Sequence, residues 1–307
     1  MPLLSLLKGK GENGFGFGST AEQVTAGRDL SGKTVLLTGC NAGLGRETLR
    51  VLALRGAHVI ATARTADKAE AAIRAAGAGG KATPLACELS EPSSVRACAA
   101  SVRALDRPLA AIICNAGIMA LPRLQQKHGY ELQFFTNHMG HFILVTGLLD
   151  RLADDGRVVM LSSDAHRGAR AGIALDNLSG AAGYSGWAAY CQSKLANLLF
   201  AVELGRRFAG SERTAYAVHP GVIKTDLARH MNPLVRVGLT VAGPLAFKSV
   251  AQGAATQVYA ATHPDAKKYS GQYLSDCNPA KPSRHARDPE LARKLWAASE
   301  KIAAELS

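Results

Sequence analysis

Short apolar, β-branched runs alternate along this chain with longer stretches of helical period. The runs lie at 33–38, 57–63, 83–87, 110–114, 156–161 and 214–218, with a shorter one near 272–274. Each is too brief for a helix and too evenly apolar for a sheet face bathed in water, so each reads as a strand buried on both faces. Apolar residues recur at helix spacing from Gly43 to Arg55, Glu91 to Leu105, Tyr130 to Leu149, Ser185 to Phe208, Ser249 to Thr262 and Pro289 to Glu305. Strand and helix in alternation predict one doubly wound α/β domain, with about seven parallel strands and helices on both faces. Residues 32–307 form that domain. Residues 1–31 read as a flexible extension, because 9–18 are Gly-rich and loose or wrapped on the surface. Residues 226–248 mix apolar and flexible positions and read as a lid over an apolar pocket.

Chemistry concentrates where strands end. After the first strand comes Gly39-Cys40-Asn41-Ala42-Gly43-Leu44-Gly45, which opens a helix. Glycines admit a ligand close to the backbone, and a helix start offers unpaired N–H groups, so a pyrophosphate fits here. A dinucleotide site reads the adenosine ribose at the end of the second strand. Arg64 stands there, and no acid precedes Asp67. A guanidinium suits a 2′-phosphate, which favours NADP(H), with NAD(H) as the alternative. Asn115-Ala116-Gly117 and Ser162-Ser163 end the fourth and fifth strands. Ser163 could hydrogen-bond a substrate oxygen or merely satisfy local backbone. Tyr190 and Lys194 lie one turn apart on one helical face. The ammonium is expected to lower the phenol's pKa toward the working range and make it a general acid/base. Asn137 sits inside an apolar helix and needs a partner. His138 and His141 are three apart, but no third ligand lies nearby in sequence, so no metal site is expected.

Composition changes this picture little. The chain has 307 residues and a net charge of +12, with its basic residues scattered rather than clustered. No basic–aromatic interleaving supports nucleic-acid binding. The six cysteines (40, 87, 98, 114, 191, 277) form no CxxC pair, which fits a reducing compartment. No apolar run is long enough to span a bilayer. The chain reads as cytoplasmic, with a weak membrane-surface contact through Leu3, Leu4, Leu6 and Leu7 left open.

Taken together, the motifs resemble the short-chain dehydrogenase/reductase family, in its one-domain branch with a Rossmann-type fold. Those carrying the likeness are Thr38-Gly39 through Gly45, Asn115-Ala116-Gly117, Asn137, Ser163, Tyr190 with Lys194, and Pro220-Gly221 through Thr225. The stretches Thr136–Phe142, Tyr190–Asn197 and Ser270–Cys277 are similar to the retinol-dehydrogenase-like subgroup. The resemblance implies hydride transfer between NADP(H) and a carbonyl or alcohol carbon of an apolar molecule, retinoid-like, steroid-like or another secondary alcohol. It implies Tyr190 as acid/base, Lys194 on the nicotinamide ribose, Ser163 on the substrate oxygen, and Asn137 holding a water in a relay to Lys194. It also implies cofactor contacts from Glu88, Leu89, Pro220, Val222 and Thr225 beside the glycine turn, Arg64 and Asn115–Gly117. Related enzymes pair through two long helices, here 124–149 and 185–208, so a homodimer or homotetramer is expected. Three positions depart from the pattern: Glu88 for Asp, Cys114 for Asn, and Thr65 for the subgroup's Asp. A non-catalytic nucleotide sensor on the same fold is the rival reading.

Overall fold

The computed structural model describes residues 9–223 and 247–307. The main sheet has eight strands in the order β10-β9-β8-β7-β4-β1-β2-β3. They are β1 Thr34–Thr38, β2 His58–Ala63, β3 Ala82–Ala86, β4 Leu109–Cys114, β7 Leu152–Leu161, β8 Thr214–His219, β9 Tyr273–Ser275 and β10 Asn278–Pro279. All neighbouring pairs are parallel except β9–β10, so seven parallel strands carry one short antiparallel edge. Helices α2 (Gly43–Leu54), α3 (Ala66–Ala75), α4 (Pro92–Ala104), α7 (Gly186–Arg207), α8 (Val250–Thr262) and α9 (Pro289–Glu305) cover both faces. Two buried clusters result, one on each side of the sheet: Leu36, Ile112 and Met160 face one, and Leu37, Ile113 and Val159 the other. Alternate residues of each strand thus enter opposite cores, which is why the strands read as unbroken apolar runs. Strand order reverses between β1 and β4, and a doubly wound sheet opens a ligand crevice at that switch point.

Two expectations need correction. Of the two readings of the N-terminal segment, loose or wrapped on the surface, residues 9–31 follow the wrapped one, with Phe17, Ala21, Val24 and Leu30 buried. Helix α1 (Ala21–Val24) carries a capping box and buries Ala21 and Val24. Asn13 donates to the Tyr259 hydroxyl at 3.1 Å and to the Cys277 carbonyl at 2.7 Å, while the Phe15 ring stands edge-on to Tyr259. A methyl on Gly11 would strike the Asn278 side chain and one on Gly16 the Gly9 carbonyl, so glycine permits this close approach. The long helix expected from Tyr130 to Leu149 is interrupted. A small hairpin, β5 (Gln126–Lys127) and β6 (Tyr130–Glu131), precedes α5 (Leu132–Phe134). A π-helical turn then occupies Phe135–Met139 before α6 (Gly140–Thr146). Glu131, buried, caps α5 by accepting from Phe134 N at 2.7 Å. The lid at 226–248 lies outside the described residues except at its last two positions, and Leu3, Leu4, Leu6, Leu7 and Thr225 lie wholly outside them.

Candidate active site

The glycine turn after β1 is built for close approach. Gly39 and Gly43 adopt φ of 69° and 46°, where a side chain would be strained. A methyl on Gly45 would strike the Gly39 carbonyl and stand 2.7 Å from Asn115 Nδ2. Ala42 caps α2 without a side-chain hydrogen bond, and no acid occupies the helix's first turn. The leading N–H groups of α2 are therefore left for an anion, and with Asn41 and Ala42 exposed the cradle fits a dinucleotide pyrophosphate. Leu44 packs beside the turn, close to Gly253.

Asn115 braces this cradle from the end of β4. Its Nδ2 donates to the carbonyls of Thr38 at 2.9 Å and Gly39 at 3.2 Å, and Gln257 Nε2 donates to its Oδ1 at 3.2 Å. The N–H groups of Asn115 and Ala116 both donate to Thr38 Oγ1, at 3.0 and 3.1 Å. That oxygen also faces His141 Nε2 at 2.9 Å, and His141 Nδ1 lies 2.9 Å from the Asn137 carbonyl. A carbonyl only accepts, so Nδ1 carries the proton and Thr38 donates to Nε2. His141 is a neutral strut, its pKa pulled down to about 4 by burial. His138 is likewise buried and pulled down to about 3, with Nε2 at 2.9 Å from Ser299.

Asn137 finds its partners across the crevice. Its Oδ1 accepts from Ile118 N at 2.8 Å, and its Nδ2 donates to the Ile118 carbonyl and to Ser193 Oγ, each at 2.9 Å. Both amide protons are thus spent on protein. Its own carbonyl takes the His141 proton. Of the implied water relay, only a remaining oxygen lone pair is available, so holding the turn after β4 against α7 is what the side chain visibly does. A methyl on Gly117 would stand 3.0 Å from Asn137 Oδ1 and 3.6 Å from Lys194 Nζ, which places the turn directly beside the lysine.

Helix α7 starts at its cap Ser185 and presents Tyr190 and Lys194 to the same edge. Lys194 is 3% exposed, donates to the Leu161 carbonyl at 2.9 Å, and pairs with no carboxylate among the described residues. Two ammonium protons are left to face the crevice, as ribose hydroxyls would require. Its Nζ lies 5.7 Å from the Tyr190 ring centroid. The expected acidification of the phenol is not seen. Burial raises Tyr190 to about 12, against a lowering hydrogen bond from Ser163. Burial also brings Lys194 down to about 8. Desolvation penalises both charged forms, and in the free protein it outweighs their attraction. Tyr190 and Ser163, 27 positions apart in the chain, nonetheless lie close enough for the serine hydroxyl to oppose that rise.

The remaining cofactor positions are distributed unevenly. Arg64 is exposed at the end of β2, and Thr65 caps α3 by accepting from Lys68 N at 3.4 Å, which gives that departure a structural use. Glu88 is occupied by Ser90, whose N–H and Oγ donate to it at 3.2 and 3.0 Å. Leu89 is buried in the core against Gly140, so only its backbone can face a ligand. Cys114 is fully buried, and its thiol pKa is pushed well up. Pro220 is half-buried and Val222 is 56% exposed. Sequence reasoning gave no role to Thr38, Gln257, His166 or His219. Thr38 and His219 signalled only as polar residues at strand ends and Gln257 as one inside an apolar helix, while His166, in the loop after β7, carried no signal.

This geometry has known counterparts. The profile described as short chain dehydrogenase matches residues 33–234. The chain belongs to the short-chain dehydrogenase family. It is 40% identical over 319 residues to short-chain dehydrogenase TIC 32 B, chloroplastic, of Brassica napus, covering 98% of each chain. It is 40% identical over 277 residues to retinol dehydrogenase 12 of Mus musculus, covering 89% of this chain and 86% of that one. The structure of the angucycline C-6 ketoreductase LanV with bound NADP superposes with a TM-score of 0.67 at 25% identity, over 81% of this chain and 95% of that one. The chain is thus an oxidoreductase of the retinol-dehydrogenase-like subgroup with a site for a nicotinamide cofactor. No helix among the described residues is long and apolar enough to cross a membrane. The chloroplastic relative lends no support to a cytoplasmic location.

Proposed function

We propose that the protein reduces the carbonyl of an apolar small molecule with NADPH, Tyr190 being the proton donor. The observation that carries this is the buried phenol of Tyr190, set beside Ser163 and with Lys194 Nζ 5.7 Å from its ring. A phenol raised to about 12 holds its proton at neutral pH, the state in which a donor must start, and the nearby ammonium must bring it down for transfer. NADPH, when bound, would supply the hydride. Ser163 would hold the substrate oxygen, and Tyr190 would pass it a proton as negative charge develops there. The Lys194 ammonium, held on the Leu161 carbonyl, stabilises the phenolate left behind and is placed to bind the nicotinamide ribose. Asn137 positions the Gly117 turn, and with it the wall opposite Lys194. Gly39, Asn41, Ala42, Gly43, Leu44 and Gly45 would hold the pyrophosphate, and Arg64 the 2′-phosphate.

Two exposed apolar side chains favour an apolar substrate. Trp187 is 51% exposed and its ring lies 5.7 Å from that of Tyr190, one turn earlier on α7. Val222, just after β8, is 56% exposed. Retinoid-like aldehydes fit this setting and agree with the name of the retinol dehydrogenase relative. A homodimer or homotetramer belongs to the same reading.

The test is Tyr190→Phe, followed by NADPH absorbance over a panel of retinoid, steroid and aromatic carbonyls. Turnover should fall at least a thousandfold, roughly the upper part of the range for lost acid/base catalysis. NADPH affinity should change less than about threefold, because the phenol meets the phosphates nowhere. Wild-type rates in this variant would remove Tyr190 from the chemistry. An inactive wild type that still bound NADPH would favour a nucleotide sensor.

A further inference from the structure

The peptide bond that follows Ser163 is gripped by two imidazoles. Its carbonyl, Ser163 O, faces His166 Nδ1 at 2.6 Å. Its N–H, on Asp164, donates to His219 Nδ1 at 3.2 Å. His166 belongs to the 3-10 turn Asp164–Gly168 just after the serine, whereas His219 is the last residue of β8. Both rings are buried.

Each ring is confined to one protonation state. Ser163 O can only accept, so His166 Nδ1 carries hydrogen. Ser283 N–H donates to His166 Nε2 at 3.0 Å, so that nitrogen must be bare. On His219 the assignment is reversed. Its Nδ1 accepts from Asp164 and must be bare, so its hydrogen is on Nε2, which lies 3.7 Å from Asp164 Oδ2. Adding a proton to either ring sets two N–H groups against each other and breaks a backbone hydrogen bond. Ser163 itself is extended, at φ −166° and ψ 157°, and its Oγ accepts from Ala165 N at 3.2 Å. Fixing the peptide plane fixes the Cα–Cβ direction, and with it the hydroxyl that meets Tyr190.

We propose that His166 and His219 are positioning residues that clamp the Ser163–Asp164 peptide, and that protonation of His219, which sets its Nδ1–H against the Asp164 N–H, releases the serine hydroxyl from its place beside Tyr190. The proposal rests on Ser163 holding the substrate oxygen. The groups facing His219 are Asp164, Asp276, Lys248 and His166, and those facing His166 are Asp164 and Arg167. Asp164 is itself held by Tyr273, whose hydroxyl donates to Oδ1 at 3.0 Å, and by Arg167 at 3.3 Å. Burial is the largest influence on both rings and lowers both pKa values. The clamp is therefore closed at neutral pH and opens only below the ordinary imidazole range near about 6.5.

The test has an arm that needs no turnover. The full chain, labelled with 15N, is titrated from pH 8 to 4.5 by NMR. His166 should be the Nδ1–H tautomer and His219 the Nε2–H tautomer at pH 7.5, and the Ser283 and Asp164 amides should shift in step with ring protonation. The opposite tautomer on either ring, or amides that ignore the titration, overturns the clamp. The second arm compares His219→Ala with His219→Asn at saturating NADPH with all-trans-retinal. Alanine removes the acceptor and should lower kcat roughly tenfold, the cost of one hydrogen bond, with KM for NADPH unchanged. Asparagine keeps an acceptor that does not titrate. It should restore kcat at pH 7.5 and weaken the acid-side loss. An asparagine variant with the wild-type acid loss overturns the role of His219, and an alanine variant of wild-type kcat shows the contact to be structural only. Absence of any carbonyl turnover counts against the function proposed above and leaves the NMR result to decide the clamp.

Discussion

At the scale of single residues, burial decides protonation, and the decisions reach beyond the site. His138 and His141 looked like half of a metal site, yet each is a neutral strut whose nitrogens point at Ser299, Asn137 and Thr38. Their pKa values of about 3 and about 4 lie below that of an unfolded imidazole. The unfolded chain therefore takes up protons below about 6.5 while the fold does not. Stability is fully present above that pH and is lost as pH falls toward 4. At pH 5 the loss should be about 2 kcal/mol per ring, or ~4 kcal/mol for the pair. Urea unfolding at pH 7 and pH 5 measures it. His138→Gln keeps a donor at the Nε2 position and should remove about half of the difference; an unchanged difference would mean His138 does not carry it. Tyr190 and Lys194 obey the same rule with opposite charge. The sequence placed them one turn apart; only the fold puts them in a site dry enough for desolvation to outweigh their attraction.

At the scale of elements, strand ends and helix starts carry the recognition. The α2 N-terminus lacks a side-chain cap and an acidic first turn, and both would have competed with an anion. The neighbouring α3 is capped by Thr65, immediately after the exposed Arg64. The two helix starts thus differ: one is left open for phosphate, and the other is closed with its arginine facing water. Arg64→Ala should raise KM for NADPH roughly 10- to 100-fold, the range for a lost hydrogen bond to a charged group, and leave KM for NADH nearly unchanged. Steady-state kinetics with both cofactors reads this directly. Equal losses for both would exclude a 2′-phosphate contact. The π-helical turn at Phe135–Met139 is the element least visible in sequence. It interrupts a continuous apolar stretch where Asn137 must meet Ile118 and Ser193, and π-bulges are frequent at functional sites.

At the scale of the whole molecule, the N-terminal segment and the far edge of the sheet are tied together. Residues 13–24 lie against α8 and the β9–β10 hairpin through Asn13, Phe15, Ala21 and Val24. The Phe17 ring lies 5.0 Å from Lys248 Nζ, which pairs with Asp276 at 2.6 Å. Deleting residues 1–27 uncovers this face. With Phe17 and Val24 each worth about 1.5–3 kcal/mol of burial, the Tm should fall by roughly 10 °C. A thermal melt of the shortened chain checks it, and an unchanged Tm would return the segment to the loose extension that its glycines suggested.

The sequence by itself determined the alternation of strand and helix, the glycine turn, Arg64 at its strand end and the Tyr190–Lys194 spacing. These are local properties: hydrophobic period, backbone freedom at glycine and one turn of helix are set by neighbours along the chain. Only the tertiary structure decided which distant groups meet: Ser163 with Tyr190, Asn137 with Ile118 and Ser193, the Ser163–Asp164 peptide between His166 and His219, and residues 13–24 on α8. It also decided which groups stay neutral. Partner and dielectric depend on chain segments brought in from far away, and no periodicity records them.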